Sequence, residues 1–255
     1  LLATVPAGAT QLKKETLEAF EAYVRANETS LEARRSDGPF LWVDESSARL
    51  AQVRQGKVII EARNGKGDVG VPDGLIHDWL GAVFIPHATL AATLAWLQDY
   101  DHNSLAYRPE VLDSRILSRN GNEFRVYMRL SKKKIITVVL DTEHDIRYFQ
   151  LDPARWYSRS YSSRISELVN PGKPDERRLP PGDDHGFLWR IYSYWRFQER
   201  DGGVYVECQA VSLTRDVPTG LGWLIEPIIR DLPRQSLEHT LRATRDAVTG
   251  LTDRK

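Results

Sequence analysis

The chain has 255 residues, with 35 Lys plus Arg against 35 Asp plus Glu, 41% hydrophobic residues and one cysteine, Cys208. Zero net charge leaves no field to hold a polyanion, which argues against nucleic acid as a partner. A lone cysteine excludes an intrachain disulfide and a thiolate metal cluster, and no apolar stretch reaches the length needed to span a bilayer.

The opening, Leu1-Leu2-Ala3-Thr4-Val5-Pro6-Ala7-Gly8-Ala9, reads as the apolar tail of a signal peptide followed by small residues. Export, for instance to a periplasm, is the expectation, with a cytoplasmic chain as the alternative. Thr10 to Asn27 predicts a helix, because Leu17, Phe20 and Val24 form one stripe. Phe40 to Val43 predicts a short strand. Ser46 to Gln55 predicts a second helix, capped by Glu45 or Ser46 and stopped by Gly56. Val58 to Ile60 reads as a strand. Residues 1–70 are thus expected to form an N-terminal accessory layer of helices and short strands, and 71–255 the main domain.

Asn64 to Gly70 contains a formal G-x-G-x-x-G, but Val71-Pro72 follows where a phosphate-binding helix would start. A loop is expected there. Ile76 to Ile85 predicts a strand buried on both faces. Thr89 to Tyr100 predicts a helix striped by Leu90, Leu94 and Leu97, and Asp101 to Pro109 a polar connector.

From Val111 the period becomes two. Asn120-Gly121 is a strong hairpin signal. After it, Phe124, Val126, Met128 and Leu130 share one face, with Arg125, Tyr127 and Arg129 on the other. Lys132-Lys133-Lys134 predicts a solvated turn, Lys134 to Leu140 a strand, Asp141 to His144 another turn, and Asp145 to Leu151 a returning strand. Trp156 to Leu168 and Phe187 to Phe197 continue the alternation, the latter with Trp189, Ile191, Trp195 and Phe197 on one side. Asp201-Gly202-Gly203 closes a hairpin into Val204, Val206, Cys208 and Ala210. Short turns between successive strands force antiparallel pairing, and one apolar face per strand predicts a sheet covered on one side. Thr219 to Arg230 predicts a helix that Pro227 and Pro233 bend or divide. Gln235 to Val248 predicts an amphipathic one, with Leu237, Leu241, Thr244 and Val248 in its stripe. The fold class read from this order is α+β: a curved antiparallel sheet wrapped around a long C-terminal helix, with an N-terminal helical extension.

Leu94-Ala95-Trp96-Leu97-Gln98-Asp99-Tyr100-Asp101, then Tyr107-Arg108-Pro109-Glu110-Val111 and Ser114, resembles the L-x-D-Y-D…P-x-V…S stretch of START and polyketide-cyclase-like (SRPBCC) proteins. Ser212 to Pro218 ahead of the terminal helix is similar to that superfamily's last strand and grip helix. The resemblance covers about residues 76–249 and implies a helix-grip fold that holds a lipid, sterol, quinone or polyketide in a tunnel. It carries over no catalytic residue and no cofactor.

The expected ligand-lining residues are Phe124, Val126, Met128, Trp189, Ile191, Trp195, Val206, Cys208 and Trp223. Core packing is the competing role for the tryptophans and for Cys208. No metal site is expected, since no H-E-x-x-H or close His pair occurs, and no G-x-S-x-G nucleophile elbow is present. Four histidines have an adjacent aspartate: His77, His102, His144 and His185. Neighbours on a strand point to opposite faces, so adjacency does not make a dyad, and ordinary surface or turn histidines are expected. The Arg and Tyr side chains opposite the apolar face, among them Arg125 and Arg190, are expected on a solvated outer surface. Asn170 to Gly186, rich in Pro, Gly and charge, is expected to act as a lid over the cavity mouth, with plain disorder as the alternative. The function expected is binding or carrying a hydrophobic or amphiphilic small molecule. A cyclase, dehydratase or hydrolase using the same space, or a protein-interaction module, is the alternative.

Overall fold

A computed structural model describes residues 10–63, 65–133, 137–216 and 222–252, apart from the side chains of 36, 37, 222–230 and 252. After the short strand β1 (Thr10–Gln11), helix α1 runs over Lys14–Asp37, ten residues past the expected end, and Gly38 caps it. Phe40 to Val43 is not a strand. It leads into a single 3-10 turn, Trp42–Glu45, because the buried Glu207 carboxylate accepts the Val43 N–H at 2.9 Å and so supplies what a strand partner would. Helix α2 (Ser47–Arg54) is capped by Ser46, whose side chain accepts from Arg49 N. Strands β2 (Ile59–Ala62), β3 (Asp68–Val71) and β4 (Gly74–Pro86) follow. The glycine-rich loop thus ends in a strand, and a boundary at residue 70 falls within β3. Helix α3 (Leu90–Leu97) is capped by Thr89, and the polar connector after it holds one turn of helix, α4 (Asn103–Ala106).

The meander is β5 (Val111–Asn120), β6 (Glu123–Lys133), β7 (Thr137–Asp152) and β8 (Arg155–Val169). The turn expected at Asp141 to His144 does not exist, since β7 passes straight through it. Asp141 is held there by Arg129 and Tyr127 of β6, and the polar run registers only as a bulge between Glu143 and His144. Lys132 and Lys133 belong to β6, and Lys132 is paired with Glu110 rather than solvated; Lys134 lies outside the described residues. Short strands β9 (Arg177–Arg178) and β10 (Asp183–Asp184) precede β11 (Arg190–Arg200) and β12 (Gly203–Arg215), and helix α5 (Gly222–Thr252) closes the chain. Pro227 and Pro233 do not divide α5.

The main sheet has the order β2-β4-β12-β11-β8-β7-β6-β5, with β3 beside β2 on β4, and all its pairs are antiparallel. Strand, two short helices, antiparallel meander and a long final helix against the sheet make the helix-grip architecture. The stripe read in α5 is the one that docks: Leu237, Leu241, Thr244 and Val248 are all buried, and the three apolar ones join Val83, Ile85 and Cys208 in one core cluster. Each such side chain contributes about 1.5–3 kcal/mol. Gly81 of β4 makes the close approach possible, since a Cβ there would lie 2.6 Å from Leu241 Cδ1.

The sheet is covered on both faces, contrary to the one-sided expectation. On the convex side α1 packs Phe20 and Val24 against Ile76, Val211 and Leu213, while Leu41, Trp42 and Val43 pack with Leu80, Phe84 and Tyr205. The Arg and Tyr face is therefore largely an internal surface. Tyr161 and Tyr194 donate to Glu28 of α1, and Tyr23 of α1 donates to the buried Asp78 at 2.7 Å. Arg196 is buried and donates to the carbonyls of Leu31 and Phe40, and burial followed by the nearby Arg34 pulls its pKa down to about 10. Only towards β6 and β7 does the expected solvated face appear, with Arg125 on Glu143 and Arg147 on Glu123.

Candidate ligand-binding face

Residues directly opposite one another on neighbouring strands share a face. The register therefore maps the concave side as rows running across the strands. One row is Val83, Val206, Phe197 and Trp156; the next is Gly81, Cys208, Trp195, Ser158 and Tyr148. These rows are apolar apart from Ser158 and Tyr148, whose phenol is paired with that of Tyr100 at 2.8 Å. Further along the strands the chemistry changes. Trp79, Ala210, Ser193, Ser160, Ile146 and Phe124 form a third row. His77, Ser212, Ile191, Ser162, His144 and Val126 form a fourth, in which Ser162 Oγ accepts from Ile191 N at 3.0 Å. Thr214, Ile165, Thr142 and Met128 lie beyond it. Half of the concave face is thus apolar, and in the other half six hydroxyls and two imidazoles are interspersed with apolar side chains.

The imidazoles are held alike. Thr142 donates its hydroxyl proton to Met128 O at 3.0 Å, so its oxygen accepts from His144 Nε2–H at 2.9 Å. Thr214 donates to Arg215 O, and its oxygen meets His77 Nε2 at 3.1 Å. Burial drives the His144 pKa down to about 4, so the ring is neutral at pH 7. At the end of β8, Glu167 lies opposite Leu140, and its carboxylate accepts His185 Nδ1–H at 2.7 Å and His185 N at 3.2 Å. The buried Asp184, adjacent in sequence, instead accepts from Gly186 N and Trp189 Nε1. The histidine–aspartate neighbours are indeed not dyads, but two of these histidines are buried parts of the concave face rather than surface residues. Among the described residues no group of three or more His, Cys, Asp or Glu could hold a metal ion.

Of the expected lining residues, Phe124, Val126, Met128, Ile191, Trp195, Val206 and Cys208 share this face. Phe124, Val126, Val206 and Cys208 are buried in its core, whereas Met128, Ile191 and Trp195 stay partly exposed. Cys208 sits with its thiol pKa pushed up by burial. Trp189 is on the other side. It precedes β11, where strand alternation does not yet hold, and packs with Phe20, Val24 and Leu213 under α1. The side chain of Trp223 lies outside the described residues. Most of the loop expected as a lid is bound to the convex side, where Arg178 reaches Asp141 at 2.7 Å and Glu176 pairs with Arg129 at 3.0 Å, while β10 pairs with β1 and His185 reaches Glu167 at the edge of the concave face.

The hydroxyl rows were not singled out in the sequence. Their signal is Ser158-x-Ser160-x-Ser162, a serine at every second position of a strand.

No family model matches the sequence, and none of the curated proteins matches it. Solved structures of similar shape include a STAR-related lipid transfer protein fragment from Xanthomonas axonopodis, 17% identical, covering 71% of this chain and 98% of that one with a TM-score of 0.48. A START superfamily protein from Mycobacterium smegmatis is 13% identical over 69% of this chain and 99% of its own, at 0.45. The Zhui aromatase/cyclase from Streptomyces sp. R1128 is 15% identical over 70% and 94%, at 0.40. These likenesses concern shape; the helix-grip fold itself rests on the strand order and the docked helix α5.

Proposed function

We propose that the chain binds or carries an amphiphilic small molecule between the concave face and α5. The carrying observation is the division of that face into an apolar half and an adjoining half where hydroxyls are interspersed, with Trp195 of the first and Ile191 and Met128 of the second partly exposed. A ligand with an apolar body would lie on the first half and hydrogen-bond the second, which is the usual chemistry of small-molecule pockets. Native mass spectrometry of the full chain purified without detergent, with titration of intrinsic tryptophan fluorescence by long-chain amphiphiles, tests this. A retained or saturably bound amphiphile supports the reading. An empty protein that binds none of them refutes it.

A second reading has one specific observation behind it. His185 Nδ1–H is oriented by Glu167, which is how a general base is held in its reactive tautomer. In an enzyme of the cyclase, dehydratase or hydrolase type, His185→Ala would abolish turnover while leaving amphiphile binding intact. Equal loss of both would make His185 a binding or structural residue.

A further inference from the structure

We propose, on the reading that the concave face binds an amphiphile, that the polar group it receives is uncharged: a hydroxyl, carbonyl or amide rather than a carboxylate, phosphate or ammonium.

The polar groups on the hydroxyl rows are serines, threonines and two imidazoles; the hydroxyls both donate and accept without carrying charge, and burial keeps the His144 ring neutral. His144 supplies no cation. Its Nε2–H is committed to Thr142, and in the neutral ring the remaining nitrogen, Nδ1, is an acceptor. An anion placed beside that lone pair would be repelled, whereas a ligand hydroxyl could donate to it.

The ionisable side chains at the edges of this half are matched in pairs. His185 is bonded to Glu167, and Lys132, which shares its face with Met128, is paired with Glu110 and also reaches Ser236 of α5. Arg190, Arg196 and Arg215 alternate with concave residues and so lie on the opposite side. Among the described residues each charged side chain named at the edge of the concave face thus already has a partner within the protein.

The magnitudes decide the preference. Burying an unpaired ion costs far more, even after relaxation, than a neutral hydrogen bond gains. A difference of only about 1.4 kcal/mol already gives tenfold selectivity.

The test compares probes that share one dodecyl chain and differ at the head: monolauroylglycerol, laurate and dodecyltrimethylammonium, each below its micelle concentration, with dodecane as the headless control. Binding to the full chain is followed at neutral pH by tryptophan fluorescence and calorimetry. Monolauroylglycerol is expected to bind about tenfold or more tighter than either ion, and tighter than dodecane. Ser160→Ala with Ser193→Ala should weaken the glyceride about five- to tenfold and leave dodecane unchanged. Laurate or the ammonium binding as well as the glyceride would overturn the inference while sparing the carrier reading. Dodecane matching the glyceride would do the same. Failure of all four probes would remove both readings together.

Discussion

Replacing Gly81 by alanine tests how closely the closing helix is fitted to the sheet. An added Cβ would stand 2.4 Å from Ile60 Cδ1, 2.6 Å from Leu241 Cδ1 and 3.2 Å from Ile59 O. The first two neighbours are ends of side chains and can turn aside; the third is backbone and cannot. Leu241 is fully buried and packed among Val83, Cys208 and Leu237, so its displacement propagates into the cluster that joins α5 to β4 and β12. Overpacking of this kind costs about 1–3 kcal/mol, which for a chain of this size lowers Tm by about 2–10 °C. Leu241→Ala alone should cost about 2–5 kcal/mol. The double variant should be less destabilised than the sum of the two, by about 0.5–3 kcal/mol, because the cavity accepts the new methyl group. Urea unfolding of the four proteins gives the cycle. A neutral Gly81→Ala, or strict additivity, would show that α5 does not bear on β4 at this point.

His144 should make stability fall in acid. The unfolded imidazole titrates near 6.5 and the buried one near 4, so the unfolded chain takes up the proton first as pH drops. Stability is full above the higher value, declines between the two and levels off below the lower, by about 3 kcal/mol in total. His144→Gln should flatten the pH dependence of Tm across that window, and an unchanged slope would contradict the burial. Asp141 accepts from Tyr127, Arg129 and Arg178; burial pushes its pKa up, but those bonds outweigh it and hold the carboxyl below its ordinary value. Asp141→Ala should cost about 1–3 kcal/mol, given that Arg178 is half exposed, and should quicken proteolysis within residues 170–186. Cys208 should be inert to thiol reagents in the native protein and react only on unfolding.

The meander was legible because Asn120-Gly121 and Asp201-Gly202-Gly203 mark hairpins and alternation marks the faces of the strands. The closing stripe of α5 was legible because its spacing by three and four is unbroken. What could not be read depends on partners distant in the chain. Glu207 organises the turn at Trp42, and Glu28 takes two tyrosines from different strands. Alternation alone says that Tyr161, Tyr194 and Arg196 share a face, not that a helix from the opening region will cover it. Asp141 and its neighbours read as a turn because Asp, Thr and His favour turns locally, and cross-strand ion pairing overrode that preference. For the ligand face, periodicity found the side but not its polar half. Trp189 was misplaced by extending alternation beyond the end of the strand.

Strand β8 shows why the hydroxyl rows call for a functional account. Its convex side carries Tyr157, Arg159 and Tyr161, which reach Arg35, Glu32 and Glu28 of α1. That side has an evident structural purpose. Its concave side carries Ser158, Ser160 and Ser162 at the middle of the sheet, where a face covered only to build a core would hold Val, Ile or Leu. Serine there gives up the apolar burial of a larger side chain, about 1.5–3 kcal/mol at each position. It also places hydroxyls in buried surroundings, where each costs about 1–3 kcal/mol if left unmatched. Ser162 recovers part of this by accepting from Ile191 N. A strand that spends three central positions in this way loses stability without a gain in packing; under the proposed function, an amphiphile's polar group would take up the hydroxyls and offset the loss. On that account Ser160→Val should raise Tm while weakening binding of a neutral amphiphile. A variant that loses stability, or gains it with binding intact, would make the serines part of the packing alone.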